Sequence, residues 1–314
     1  MSVRRVAAID CGTNSIRLLV ADVDPDKGTL VDLDRRMEVV RLGQGVDSTG
    51  RIAPEALART LAATRAYAAA IESLGATAVR FVATSASRDA ENRNEFVEGV
   101  KAILRVAPEV VTGEEEAALS FAGATRELDA DGVPGPYLVL DIGGGSTELV
   151  LGDGAGVRAA RSVDVGCVRL TERHVHSDPM TAEEVAAVRR DAAEAVELAA
   201  RTVPLEQART LVGVAGTVTT MSAMALDLPH YDSTVIHRSR MTAQQVHDVT
   251  ARLVAASAAE RAALPFMHPG RVDVIPAGAL VLQTVVDRMG VGEVVVSEHD
   301  ILDGIAWSLV TRVS

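Results

Sequence analysis

At 314 residues, 48% of them hydrophobic, the chain is long enough for one large domain or two medium ones with substantial cores. Only eight aromatic residues (one Trp, three Tyr, four Phe) argue against a base-stacking surface for single-stranded nucleic acid. A net charge of −12 argues against polyanion binding over the general surface, so a polyanionic ligand needs a local cleft of amides, metal and a few arginines.

The start Met1-Ser-Val-Arg-Arg5 has no signal-peptide pattern, and no apolar run approaches the ~18 uncharged residues of a membrane-spanning helix. The expectation is a soluble cytoplasmic protein. Its two cysteines, Cys11 and Cys167, sit beside glycine-containing turns and read as small buried fillers.

In chain order, residues 4–9, 16–23 and 29–42 read as three antiparallel strands. The first turn, Asp10-Cys-Gly-Thr-Asn-Ser15, offers hydroxyl and amide donors from Gly12, Thr13, Asn14 and Ser15 to an anion. Arg17, on the outgoing strand, either reaches the same anion or faces solvent. Residues 54–74 form an Ala-rich amphipathic helix with Pro54 in its first turn and Gly75 as its stop.

A strand at 76–83 leads into Thr84-Ser-Ala-Ser-Arg-Asp-Ala-Glu-Asn92, where α/β proteins commonly place ligand-binding residues. Arg88 and Asn92, four apart, are expected on one helical face, with Arg88 directed at a ligand. After a short strand at 109–111, Thr112-Gly-Glu-Glu-Glu-Ala117 opens another helix. Thr112 and Glu115 have capping-box spacing, and acids favour the positive end of a helix dipole. Those two effects account for Glu114 and Glu115. Glu116 need not share that role and is a candidate general base.

Residues 128–136 are rich in turn formers and mark the expected boundary, giving domains of 1–134 and 135–314 with a terminal helix, 305–314, able to pack back onto the first. The stretch Leu138-Val-Leu-Asp-Ile-Gly-Gly-Gly-Ser-Thr-Glu-Leu-Val-Leu151 repeats the first hairpin: Asp10, Gly12 and Ser15 align with Asp141, Gly143 and Ser146 at an offset of 131. Two such turns in register, each between apolar strands, point to duplicated domains around a phosphate. Gly143, Gly144 and Gly145 would adopt left-handed conformations and direct amides, with Ser146, at an anion. Asp141 and Glu148, ending one strand and beginning the next, can hold Mg²⁺, or Mn²⁺ in its place, directly or through water. Asp10 is a further candidate ligand.

A strand follows at 156–164 and helices at 166–173 and 181–200. The strand before Gly216-Thr217 makes a third glycine-bearing turn, where a helix N-terminus could face an anion. His230, Tyr231, Asp232 and His237 fall in a loop, where structural histidines outweigh a metal cluster. Helices at 242–257, 261–264 and 273–289, a strand at 293–296, a polar turn at 297–304 and a helix at 305–313 complete the chain.

Seven motifs together resemble the exopolyphosphatase / guanosine pentaphosphate phosphohydrolase (Ppx/GppA) family: Asp10–Ser15, Ala83–Asn92, Thr112–Ala117, Asp141–Glu148, Gly166–Leu170, Gly213–Thr217 and Pro276–Gly278. They run in family order over essentially the whole chain. The resemblance implies an α/β protein of the actin-like ATPase superfamily, with two ribonuclease-H-like domains and a phosphate cleft between them. It implies removal of the terminal phosphate from inorganic polyphosphate, or of the 5′ phosphate of guanosine pentaphosphate, and suggests a homodimer.

By resemblance Glu116 is the catalytic glutamate, and Asp141 and Glu148 are the metal and catalytic carboxylates. Two departures stand out. The chain ends at Ser314 without the helical C-terminal domains of long members, which suggests a preference for short chains. Leu302 stands where an arginine is common ahead of an acid and a glycine. The rival readings are a kinase of the same fold and a non-catalytic sensor of polyphosphate or guanosine tetra- or pentaphosphate.

Overall fold

A computed structural model describes residues 3–128 and 131–311. Its contacts divide the chain into two compact units, Met1–Gly123 with Ile301–Ser314, and Ala124–Asp300. The chain therefore crosses at residue 123/124, earlier than the turn-rich segment suggested, and again at 300/301. Part of that expected boundary segment, residues 129 and 130, and the expected helix end at 312–313 lie outside the described residues.

The first unit contains β1 (Arg4–Cys11), β2 (Ser15–Asp24), β3 (Thr29–Val39), β4 (Ala78–Ala83) and β5 (Glu109–Val110), in the order β3-β2-β1-β4-β5. β1, β2 and β3 run antiparallel in sequence, while β4 is parallel to β1 and β5 to β4. Both faces of β1 are apolar, as a central strand covered on two sides requires. Ala7, Ile9 and Cys11 pack toward helices Pro54–Leu74 and Arg93–Leu104. Val6 and Ala8 pack against Ile301, Leu302, Ile305 and Trp307 of helix Ile301–Thr311. The period of two in a strand produces this division.

The second unit repeats the plan with β6 (Tyr137–Ile142), β7 (Thr147–Asp153), β8 (Gly156–Val163), β9 (Thr210–Val214), β10 (Arg240–Thr242) and β11 (Glu293–Val296). Their order is β10-β11-β9-β6-β7-β8: three antiparallel strands, then β9 parallel to β6 and β11 parallel to β9, with β10 an added antiparallel edge. Five strands in one order occur twice. Both have the ribonuclease-H-like strand order, three antiparallel strands followed by two parallel ones. Helix Ile275–Met289 is buried along most of its length in this unit's core. Among the described residues, no helix is long and apolar enough to cross a membrane.

Two local expectations need correction. Ser85–Asp89 and Arg93–Leu104 are separate helices broken at extended Ala90, so Arg88 and Asn92 do not share one helix. Asn92 instead bonds both backbone groups of Ile52, by its Oδ1 from the amide and its Nδ2 to the carbonyl. Asp303 and Gly304 lie within helix Ile301–Thr311 rather than in a turn. Leu302 is 1% exposed and belongs to the apolar cluster against β1 and β2, an environment that suits leucine and would not suit an unpaired arginine.

Candidate active site

The two hairpin turns close in the same way. The amide of Gly12 donates to the carbonyl of Ser15, and the amide of Gly143 to that of Ser146, each at 3.0 Å. In both, following segments tie the loop's carbonyls back. Thr13 O accepts from Gly43, and Asn14 O from Val40 and Arg41. Gly143 O accepts from Cys167, and Gly144 O from Val168 and Arg169, at the start of helix Cys167–His174. Engaging these carbonyls keeps them from facing an anion, as a site built of backbone amides requires.

The glycines serve a purpose other than the expected one. Positive φ among described glycines occurs at residues such as Gly28, Gly75 and Gly290, and at none in either loop. At Gly143 the constraint is close approach instead, and Gly166, outside the loop, is held to the loop backbone in the same way. A Cβ on Gly143 would lie 3.1 Å from Ser146 O, and one on Gly166 would lie 2.4 Å from Gly144 O. A left-handed residue does stand at the third turn, Ala215 with φ 63. A left-handed alanine is strained, and such positions gather at functional sites.

Within the first unit, Asp10 and Arg17 face one another across β1 and β2, and Arg17 donates to Asp10 Oδ2 at 2.6 and 3.0 Å. The expected metal ligand Asp10 and the expected phosphate ligand Arg17 are thus paired with one another in this structure. In the second unit the matching positions hold two acids. Asp141 and Glu148 are opposed across β6 and β7, at 8% and 1% exposure. Directly opposed residues of an antiparallel pair point to the same face. Two buried carboxylates side by side form a hard oxygen donor set, which fits Mg²⁺ or Mn²⁺. Ser162 of β8 donates to Glu148 Oε1 at 2.7 Å and orients it.

Glu116 lies in the first turn of helix Gly113–Thr125 and is 8% exposed. Arg88 Nη1 donates to Glu116 Oε2 and to the Val111 carbonyl, both at 3.1 Å. The structure thus brings together two residues that the sequence proposed separately. Thr13 and Ser85 join hydroxyls at 2.8 Å, linking the first loop to the segment that carries Arg88.

At the third turn the sequence missed Arg271. Its guanidinium lies where a Cβ on Gly216 would be, 2.3 Å from that point, and its Nη1 donates to Thr220 at 2.9 Å. Arginine is the side chain best suited to phosphate recognition. Thr217 is buried beside Gly278, whose Cβ would come within 2.6 Å of its hydroxyl. The two thiols are inert fillers: burial pushes Cys11 well above the ordinary thiol range and Cys167 up to about 11.

The loop histidines do not assemble as the sequence grouped them. Asp232 caps helix Ser233–Ile236, whereas His237 approaches His299 and Glu127, each histidine 3.6 Å from Glu127 Oε2. Arg238 also binds Glu127. The His237 Nδ1 accepts from the Glu298 amide at 3.2 Å, and its Nε2 faces both the Arg238 Nε at 3.2 Å and Glu127 Oε2 at 3.6 Å. The cluster is a polar clamp.

Residues 19–313 match the model of the Ppx/GppA phosphatase family. The chain is 52% identical over 320 residues to Exopolyphosphatase 2 of Mycobacterium tuberculosis strain H37Rv, covering 98% of this chain and 99% of that protein. Its fold matches a crystal structure of an exopolyphosphatase-like protein at 44% identity and TM-score 0.94, covering 98% of each chain. It also matches the Aquifex aeolicus PPX-GPPA enzyme at 30% identity and TM-score 0.81, covering 98% of this chain and 100% of that one.

Proposed function

Because the chain belongs to the Ppx/GppA phosphatase family, we propose that it is a Mg²⁺-dependent exopolyphosphatase, cleaving the terminal phosphoanhydride of inorganic polyphosphate. The observation that carries this reading is the opposed buried pair Asp141–Glu148 beside a loop that presents amides. Such a pair suits phosphoryl transfer, which depends on positioning and charge stabilisation more than on reactive side chains.

In the first unit, Glu116 takes a proton from water as its oxygen bonds to the terminal phosphorus. The bridging P–O bond breaks, orthophosphate leaves, and the chain shortens by one phosphate. Arg88 keeps the Glu116 carboxylate oriented. The amides of Gly12, Thr13, Asn14 and Ser15 bind phosphate oxygens in this unit. In the second unit, Gly143, Gly144, Gly145, Ser146, Gly216 and Thr217 do the same, aided by Arg271. Asp141 and Glu148 would hold Mg²⁺, which when bound offsets charge growing on the phosphoryl oxygens. The two free, buried cysteines support a cytoplasmic setting.

The test is phosphate release from short polyphosphate, long polyphosphate and guanosine pentaphosphate, with ATP as a control and Glu116→Gln alongside. Glutamine keeps an oxygen for Arg88 but cannot accept the proton. The expected loss in kcat is roughly 10²–10⁴-fold, with KM little changed. Full turnover by the variant would remove Glu116 from the mechanism. Release from guanosine pentaphosphate alone would transfer the activity to that substrate, and tight binding without any release would favour a sensor.

A further inference from the structure

Arg80, on β4, is 3% exposed at its side chain and carries a charge that burial would disfavour unless it were paired. It bonds three elements of the first unit. Its Nη2 donates to Glu109 Oε2 and to Glu115 Oε1, both at 2.7 Å, and its Nε to Glu109 Oε2 at 3.1 Å. Its Nη1 donates to the Ser308 hydroxyl at 2.8 Å, on helix Ile301–Thr311.

Glu115 immediately precedes Glu116. The two are held by arginines from one strand–helix segment, Glu115 by Arg80 and Glu116 by Arg88. Consecutive helical residues point about 100° apart around the axis, since a turn takes ~3.6 residues. A single tether would leave helix Gly113–Thr125 able to roll about it. Two tethers at that angle fix the roll. The depth is fixed separately, because Gly304 rests so closely on this helix that a Cβ there would come within 1.9 Å of Leu119 O.

The geometry points to Arg80 as a positioning residue that acts through Glu115, setting the rotation of the helix and hence the direction of the Glu116 carboxylate. This rests on Glu116 being the general base. An ordinary structural ion pair would stabilise the fold without that directional effect, so the two roles differ in what they do to turnover once the protein is folded.

The experiment is a double-mutant cycle with Glu115→Gln and Glu116→Gln, measuring kcat and KM on short polyphosphate and the melting temperature of every variant. Arg80→Lys is added, since lysine keeps the charge but loses the fixed fork that reaches three partners. Glu115→Gln and Arg80→Lys are each expected to lower kcat between about five- and a hundredfold, the range a misplacement near 1 Å produces, with KM within about twofold. In the Glu116→Gln background, Glu115→Gln should cost nothing further.

An equal fold-loss in both backgrounds, or an unchanged kcat in folded Glu115→Gln, overturns the proposal while leaving Glu116 as the base. Wild-type turnover by Glu116→Gln overturns both together, and is recognised from that single variant.

Discussion

Gly166 sets the shape of the second phosphate loop without belonging to it. The Cβ it lacks would lie 2.4 to 2.7 Å from Gly144 O, Gly144 C and Gly145 N, all backbone atoms that cannot step aside as a flexible side chain can. Gly166→Ala should therefore push the loop out of shape and raise KM for polyphosphate by about tenfold or more, the scale of one or two lost charge-assisted bonds. Gly290→Ala is the control: it is a left-handed helix cap with nothing near its Cβ, so it should lower the melting temperature and leave KM alone. Equal KM values for the two variants would sink the argument. The duplication was readable residue by residue, and so was one difference inside it. Arg17 occupies the place that Glu148 takes 131 residues later, so the first loop carries a guanidinium where the second carries an acid. The Arg88–Glu116 and Arg80–Glu115 pairs span 28 and 35 residues and have no periodic signal, so only the folded sheet reveals them.

Elements with strong local signals were legible, including helix Pro54–Leu74 with its proline start and glycine stop. Connections were less so, because their conformation depends on contacts made elsewhere. The polar turn expected at residues 297–304 is partly helix, since apolar Ile301, Leu302 and Ile305 gain more from packing on β1 and β2 than the turn formers gain locally. The clamp of Glu127, His237 and His299 was invisible for the same reason, and it makes the second unit pH-sensitive. Burial, helped by His299 and Arg238, lowers the His237 pKa below its ordinary 6.5. For Glu127, burial alone would raise the pKa, but the bond from Arg238 and the attraction of His299 outweigh it and the net direction is down. Both groups have folded values below their unfolded ones. Their stabilisation is therefore complete above the unfolded value and disappears as pH falls through the folded one. The melting temperature should hold steady from about pH 8 to 7 and decline as the solution is acidified below about 6.5. His237→Asn should flatten the upper part of that decline. A melting temperature that rises on mild acidification would contradict the sign.

At the scale of the whole chain, two five-strand patterns share one order, and the repeated hairpin within them is the part the residues themselves carried. The sequence allowed for a terminal helix packing back onto the first unit but did not place the crossings at 123/124 and 300/301, because no local composition marks where the chain passes from one unit to the other. The net charge of −12 also acts at this scale, against a substrate that is itself a polyanion. The repulsion is long-ranged, whereas Arg88 and Arg271 act over a few ångströms beside Glu116 and Gly216. The Debye length shrinks from about 30 Å at ~0.01 M salt to about 8 Å at ~0.15 M, so added salt removes the distant repulsion before it weakens the local contacts. At fixed free Mg²⁺, kcat/KM for long polyphosphate should therefore rise between those two salt concentrations, the reverse of the usual behaviour of basic polyanion-binding proteins. Short chains carry less charge and should show a smaller rise. A steep fall with salt for both lengths would mean that the positive groups at the loops govern encounter from a distance and that the acidic surface is irrelevant to it.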